Sequence, residues 1–200
     1  MPTLYDSRDS GNAYKVRLAL RRIGQPYRRV EIDIDHGGTR TPDFLAKNPN
    51  GKVPVLELDD GTCLAESGAI LYYLLRDTAL WPADRLDRAR VLQWMFFEQY
   101  SHEPYVAVVR HWVKHLEMTP ARQAALPEKI EKGYAALAVM EQHLARRSYF
   151  VGERMSAADI ALYAYTHVAP EGGFDLGRFP ALRAWLGRVA AEPDHVGIYD

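Results

Sequence analysis

The chain has little cysteine, no long apolar run and almost no net charge, and each absence excludes a class of protein. A single cysteine among 200 residues cannot form an internal disulfide, which favours a reducing compartment. No stretch reaches the about 18 apolar residues that a membrane-spanning helix needs, and the segment MPTLYDSRDS is too charged for a signal peptide. We therefore expect a soluble cytoplasmic protein without a membrane partner.

The charge balance and composition exclude further classes. The 25 basic and 26 acidic residues give a net charge of −1, so no overall positive field selects nucleic acid. Hydrophobic residues at 48% and charged residues at 26% are typical of globular proteins and exclude a disordered chain. A chain of this length buries roughly 70% of its unfolded surface, so it needs no disulfide or metal to fold.

The two parts of the chain have different patterns. The first eighty residues alternate strand-like and helix-like segments in the order β-α-β-α-β-β-α. Beyond Leu80 the strand patterns vanish, and helices are predicted over 86–116 with a kink at Pro104, from Pro127, from Ser156 and from Pro180. The sequence predicts a two-domain α+β chain, with an α/β domain over 1–78 and an all-helical domain over 86–200.

Two segments of the first domain could bind a ligand. In this order of elements, a proline at the start of the third strand indicates a cis Val53-Pro54 peptide that exposes the Val53 backbone, the alternative being an ordinary trans proline. Ser67 is predicted to cap the next helix, whose N-terminus could bind a carboxylate while Glu66 binds an ammonium group. The alternative for this second segment is a plain helix cap without a ligand.

A third segment, Ser10-Gly11-Asn12, precedes the first helix. A hydroxyl and an amide at a helix N-terminus can stabilise a developing anion by hydrogen bonding. No histidine lies nearby in the sequence to deprotonate Ser10, so a hydrolase triad would need distant contacts. A simple cap is again the alternative.

Four segments together resemble the glutathione transferases over essentially the whole chain: SGNAYKVRLAL, NPNGKVPVLEL, AESGAILYYL and GERMSAADIALYAY. The resemblance implies a thioredoxin-like first domain that binds glutathione, followed by a helical domain that supplies the acceptor pocket. It also implies roles for the segments described above. The backbone of Val53, before Pro54, would pair with the cysteinyl part of glutathione, and Glu66 and Ser67 would hold the γ-glutamyl end. Lys52 would lie near the glycyl carboxylate, and Thr39 is expected in the same binding set.

The residue that activates the thiol differs between classes of this family. Ser10 matches the serine of the theta-like and zeta-like classes, with Asn12 as a second donor at about the position of the cysteine in beta-like members. Tyr5 falls within the first predicted strand and is interpreted as structural. Cys63 lies in a predicted strand outside any Cys-x-x-Cys motif, which disfavours glutaredoxin-type exchange.

The helical half offers fewer candidates. The residues that could line an acceptor pocket, or else simply pack, are His102, Tyr105, Val109 and Trp112. His111 and His115 share a helix face but lack a convincing third ligand, so no metal is expected. Ser156-x-x-Asp159 is a variant capping box and is predicted to be structural.

These observations predict an enzyme that transfers glutathione, its co-substrate, to small hydrophobic electrophiles, as in detoxification. A glutathione-dependent isomerase or dehalogenase remains open, because the acceptor chemistry depends on the shape of the pocket. A non-catalytic glutathione-binding or partner module is the third possibility. The resemblance also implies a homodimer.

Overall fold

All strands lie in the first third of the chain, and the rest is helical. The computed structural model describes residues 1–200 and divides them into two units. The first comprises residues 1–81 and 193–200, and the second comprises residues 82–192. None of the helices combines the length and the apolar composition needed to cross a bilayer.

The first unit has the predicted order of elements. They are β1 Thr3–Asp6, α1 Gly11–Arg22, β2 Arg28–Glu31, a 3₁₀ turn Gly38–Arg40, α2 Pro42–Lys47, β3 Val55–Glu57, β4 Cys63–Ala65 and α3 Ser67–Leu75. The sheet order is β2-β1-β3-β4, with β1 parallel to β2 and antiparallel to β3. Its core is a cluster of Leu4, Val16, Leu20, Leu56 and Ile70.

The register of the sheet brings the ligand-binding candidates to one end. Tyr5 pairs with Val55, which pairs in turn with Ala65. Because β1 and β4 both run antiparallel to β3, the end of β1, the start of β3 and the end of β4 lie together. The three candidate segments therefore lie at this end of the strands.

The second unit is all-helical, as expected. Its elements are α4 Arg85–Phe97, a π-helical turn Glu98–His102, α5 Glu103–His115, α6 Pro120–Leu144, α7 Ala157–Thr166, a 3₁₀ turn Ala169–Gly172 and α8 Pro180–Ala190. Every residue of α7 is buried. The two-domain α+β prediction is therefore confirmed.

Pro104 and Pro127 were both predicted to interrupt or begin helices, and the structure places them differently. The interruption predicted at Pro104 takes the form of the π-helical turn, and Pro104 then lies in the first turn of α5. The prediction that Pro127 opens a helix was wrong, because α6 begins at Pro120 and contains Pro127 in its interior. Thr119 caps this helix, and Pro120 occupies the first turn, where a missing N–H costs little.

The C-terminal boundary also differs from the prediction. Residues 193–200 were assigned to the helical domain over 86–200, but they pack with the first unit. The boundary at residue 78 shifts to Trp81. The tail contains no regular helix or strand, so its destination could not be read from periodicity.

Candidate active site

The peptide between Val53 and Pro54 is cis, as predicted, and it lies directly before β3. Pro54 is buried, and Val53 is half-buried. Glu66 follows β4 at the same end of the sheet, and Ser10 follows β1 after a short turn. The sheet thus brings together segments that are far apart in the sequence.

Ser10 caps α1 with its side chain. Its Oγ accepts a hydrogen bond of 3.3 Å from the backbone N–H of Ala13, and its carbonyl accepts from Tyr14. The hydroxyl hydrogen of Ser10 donates to no protein acceptor, and the side chain is half-buried. A serine in this state can donate its hydrogen to an anion at the N-terminus of α1.

Asn12 connects α1 to the start of α3. Its Oδ1 accepts from the Ser67 hydroxyl at 3.2 Å and from the Lys15 ammonium at 2.7 Å. This contact joins two predicted site residues that are 55 positions apart. Lys15 was missed by the sequence analysis, because its burial, with only 1% of the residue exposed, is visible only in the structure. It adds a buried positive charge near two helix N-termini.

The start of α3 differs from the prediction in one respect. The residue at the cap is Glu66, not Ser67, and no side chain caps this helix. Ser67 is the first helical residue, and it donates to Asn12 instead. Glu66 has φ 68° and ψ 115°, a strained backbone for a residue with a Cβ, and strain of this kind concentrates at functional sites. The uncapped N–H groups of α3 can therefore bind an anion.

A pair of loops forms a second part of the site. Asn48 is buried, and its Nδ2 donates to the carbonyl of Lys52 at 2.7 Å, which fixes the backbone just before Val53. Gly51 has φ +63°, and a Cβ there would lie 3.0 Å from the Thr39 carbonyl, so only glycine fits between these loops. Thr39 is buried, whereas Lys52 is exposed and pairs with no protein carboxylate.

Comparison with known proteins shows the family to which the chain belongs. Residues 2–76 match the family model of the glutathione S-transferase N-terminal domain, and residues 94–193 match that of the C-terminal domain. The chain belongs to the glutathione S-transferase family. A glutathione S-transferase from Pseudomonas fluorescens Pf-5 is 52% identical, with a TM-score of 0.97 and coverage of 100% of this chain and 99% of the other.

Two other relatives differ in what their names state. The maleylacetoacetate isomerase of Rhizobium meliloti is 35% identical over 193 residues, covering 94% of this chain and 90% of the isomerase. A structure of Ure2p in complex with glutathione is 26% identical with a TM-score of 0.86, covering 96% of this chain and 91% of that one. The glutathione S-transferase family therefore includes relatives with different named roles.

Among the other residues considered as thiol activators, Tyr5 has its hydroxyl occupied. It donates to Glu57 Oε2 at 2.8 Å, and Lys47 Nζ contacts the same oxygen at 2.5 Å. Hydrogen bonds to the Lys47 ammonium and the Tyr5 hydroxyl lower the pKa of Glu57, so it remains a carboxylate that holds the tyrosine. Burial raises the pKa of Cys63, which disfavours its reactive thiolate.

The four candidate acceptor residues separate into two groups. His102 and Val109 are fully buried in the helical unit, where His102 Nε2 lies 3.1 Å from Thr166 Oγ1, so they offer no accessible surface to an acceptor. Tyr105 and Trp112 are partly exposed on α5. The ammonium of Lys129 lies 5.6 Å from the Tyr105 ring centroid and 5.2 Å from that of Trp112.

A cavity of about 830 Å³ lies in the helical unit and contains none of the predicted site residues. Its lining includes His143, Arg146, Arg147, Glu153 and Arg188.

His111 and His115 stack on each other, with 5.3 Å between their ring centroids. No group of three histidine, cysteine, aspartate or glutamate side chains is arranged to hold a metal ion.

Proposed function

We propose that this chain is a glutathione transferase in which Ser10 stabilises the thiolate of bound glutathione for attack on a small hydrophobic electrophile. The observation that carries this proposal is the Ser10 hydroxyl, whose hydrogen has no protein acceptor at the N-terminus of α1. Ser10 acts as a donor, not as a nucleophile, because the reacting sulfur belongs to glutathione. Asn12 is the second residue of the thiol site.

The energies of these groups are sufficient for the task. Lowering a thiol pKa from about 8.5 to about 6.5 requires roughly 2.7 kcal/mol of preference for the thiolate. A hydrogen bond to a charged group contributes about 1.5–3 kcal/mol. A helix N-terminus contributes about 0.3–1 kcal/mol. The hydroxyl and the first turn of α1 together reach the required amount, and the buried charge of Lys15 acts in the same direction.

The remaining groups hold the peptide part of glutathione. The uncapped N–H groups at the start of α3, with Ser67, would bind the γ-glutamyl carboxylate, and Glu66 would bind its ammonium group. The backbone of Val53, fixed by the neighbouring loop, would pair with the cysteinyl part. Lys52 would approach the glycyl carboxylate beside the Thr39 turn.

The acceptor side is proposed to involve Tyr105 and Trp112. Their partly exposed rings and the ammonium of Lys129 form one surface on the helical unit. Aromatic faces suit a planar apolar electrophile. His102 and Val109 would then support this surface from the core.

Isomerisation is a second candidate, favoured by the 35% identity to a maleylacetoacetate isomerase. A thiolate that adds to a conjugated double bond leaves a single bond about which the carbon skeleton can rotate, and loss of the thiolate then restores the double bond. Glutathione is regenerated in this reaction but consumed in conjugation. Counting the free thiol after many turnovers therefore separates the two activities.

Retention on glutathione-agarose, followed by a panel of aryl halides, conjugated enones and halogenated alkanes, tests the proposal. We expect binding, turnover with at least one class of electrophile, and loss of turnover in Ser10→Ala. Thr119→Ala is the matched control, because it removes a helix cap of similar geometry in the other unit. Absence of binding would contradict the proposal, and binding without turnover would favour a non-catalytic module.

We also propose a cytoplasmic homodimer. Large apolar side chains are exposed at intervals of four along α4 and the π-helical turn, namely Leu92, Phe96 and Tyr100. Their spacing gives one unpartnered helix face. Light scattering at micromolar concentration tests the assembly, and a mass near the 22.7 kDa of one chain would contradict it.

A further inference from the structure

The C-terminal tail, residues 193–200, is held by side chains of the first unit through its backbone carbonyl groups. Tyr14 donates to the Val196 carbonyl at 2.6 Å. Four arginines also donate to the tail: Arg22 to Pro193, Arg17 to Ile198 and Asp200, Arg29 to Asp200, and Arg8 to Tyr199. The tail therefore supplies acceptors to a group of cations on or beside α1.

Arg17 is the centre of this group. It is only 2% exposed, and its Nε lies 3.1 Å from the buried carboxylate of Asp6, which Arg29 also contacts at 2.6 Å. Two guanidinium groups thus share one buried carboxylate. The tail carbonyls provide further acceptors, at 2.8 Å from Arg17 Nη2 and 3.2 Å from Nη1. A buried guanidinium is stable only when its donors are satisfied in this way.

The same arginine reaches the turn that carries Ser10. Arg17 Nη2 donates to the Arg8 carbonyl at 3.0 Å, and the Arg8 N–H donates to Glu31 at 2.6 Å. The Arg8 side chain donates to the Tyr199 carbonyl at 2.8 Å. Both backbone groups and the side chain of Arg8 are therefore held, two residues before Ser10. The turn itself is closed by the Ser10 N–H, which donates to the Ser7 carbonyl at 2.9 Å.

We propose that the tail, through Arg8 and Arg17, positions the turn Ser7–Ser10 and so sets how well the Ser10 hydroxyl stabilises the glutathione thiolate. This rests on the proposed function of Ser10. Arg8 and Arg17 are positioning residues, because they act through the backbone of the turn. The charged groups facing them are Asp6, Arg29 and Glu31.

A matched pair of variants separates positioning from simple stability. Arg8→Ala and Arg22→Ala each remove a side chain that donates to a tail carbonyl. Arg8 lies within the Ser7–Ser10 turn, whereas Arg22 is the last residue of α1, far from that turn. We expect both variants to lower the thermal midpoint by a similar, small amount. Only Arg8→Ala should weaken thiolate formation in bound glutathione, by about threefold, measured by ultraviolet titration.

Amide hydrogen exchange without glutathione gives an independent measurement. The Ala13 amide is bound by Ser10 Oγ, so it should exchange several-fold faster in Arg8→Ala than in the parent and stay unchanged in Arg22→Ala. Arg17→Lys keeps the charge but loses the fork of donors, and it should change both readouts in the same direction as Arg8→Ala.

Equal effects of Arg8→Ala and Arg22→Ala on the thiol titration would overturn the proposal. So would unchanged Ala13 exchange in both Arg8→Ala and Arg17→Lys. If the parent does not bind glutathione, the proposed function fails together with the thiolate role of the tail. Ala13 exchange then decides separately whether the tail holds the turn.

Discussion

Two helices of this protein, α1 and α7, have a serine as their N-cap residue, and the two hydroxyl groups differ in their hydrogen bonds. Ser156, before α7, donates its hydroxyl to Asp159 Oδ2 at 2.8 Å, and its backbone N–H donates to the same oxygen at 2.8 Å. The other oxygen of Asp159 accepts from Phe150 N–H and Trp185 Nε1. Ser10, before α1, accepts one long hydrogen bond and leaves its own hydrogen without a protein acceptor.

The difference shows how one residue type at one helix position serves two purposes. A buried polar group that is fully hydrogen-bonded stabilises the fold and fixes one arrangement. A half-buried hydroxyl with an unused hydrogen contributes less to stability and is available to a ligand. We call the Ser156–Asp159 cap the closed cap and the N-terminus of α1 at Ser10 the open site. Substitutions at the closed cap should therefore change the stability of the fold, and those at the open site should change ligand binding or chemistry.

Asp159→Ala should produce the largest effect. It leaves four donors without this acceptor, each costing about 1–3 kcal/mol, so the free energy of unfolding should fall by at least about 4 kcal/mol. For a chain of this size we expect the thermal midpoint to drop by about 10 °C or more. Thermal unfolding followed by circular dichroism measures this. Asp159→Asn should lie between the parent and Asp159→Ala, and a parent-like midpoint for Asp159→Ala would contradict the closed-cap interpretation.

Ser67→Ala should change binding and leave folding almost intact, because Ser67 does not cap α3. Loss of the hydrogen bond that orients Asn12, together with a ligand contact, should weaken glutathione binding about tenfold. Calorimetry of binding and thermal unfolding test the two halves. Thr119→Ala should instead change folding and leave binding intact. Its thermal midpoint should fall by about 2–4 °C, and its affinity for glutathione should equal that of the parent.

Lys52→Ala should have a smaller effect on the same binding. An exposed ion pair contributes about 0.2–1 kcal/mol, so affinity should fall only several-fold. Since salt screens such a pair, the parent should lose affinity between low and high ionic strength more steeply than the variant. Identical salt dependence in calorimetric titrations would place the glycyl carboxylate elsewhere.

His143 should make the stability of the helical unit, which contains the closed cap, depend slightly on pH. Burial is the main cause that lowers its pKa below 6.5, and its Nε2 lies 3.0 Å from the carbonyl of Phe150, whose N–H binds Asp159. The unfolded chain therefore binds more protons than the folded one just below pH 6.5, so stability falls as the pH falls through that value. Thermal midpoints between pH 5 and 7.5 should decline on the acid side, and less so in His143→Gln. An equal decline in both would assign the effect to other groups.

Local features of the sequence predicted much of the architecture. The order of elements in the first unit follows from alternating periodicities. The cis peptide before Pro54 and the capping box of Ser156 and Asp159 were also predicted correctly. The capping box depends on two residues three positions apart, whereas the cis peptide was predicted from the position of Pro54 in the order of elements.

The features that were missed depend on distant contacts. Nothing local shows that Asn12 meets Ser67, or that Lys15 is buried against Asn12. The tail is bound through its carbonyl groups, which every residue carries, so its side chains give no signal of where it docks. The prediction that Pro127 opens a helix was wrong because the exclusion of proline from helix interiors is only a tendency. The cap at Thr119 and the packing of α6 override it.

The ultraviolet titration of the thiolate in bound glutathione tests the role of Ser10 most directly. In Ser10→Ala we expect the pKa of the bound thiol to rise by about one to two units, from a lost hydrogen bond of roughly 1.5–3 kcal/mol. Affinity for neutral glutathione should change little, and turnover near pH 6.5 should fall about ten- to a hundredfold and partly recover at higher pH. Asn12→Ala should give a smaller shift. An unmoved titration in Ser10→Ala, with a shift only in Asn12→Ala or Tyr5→Phe, would contradict the account.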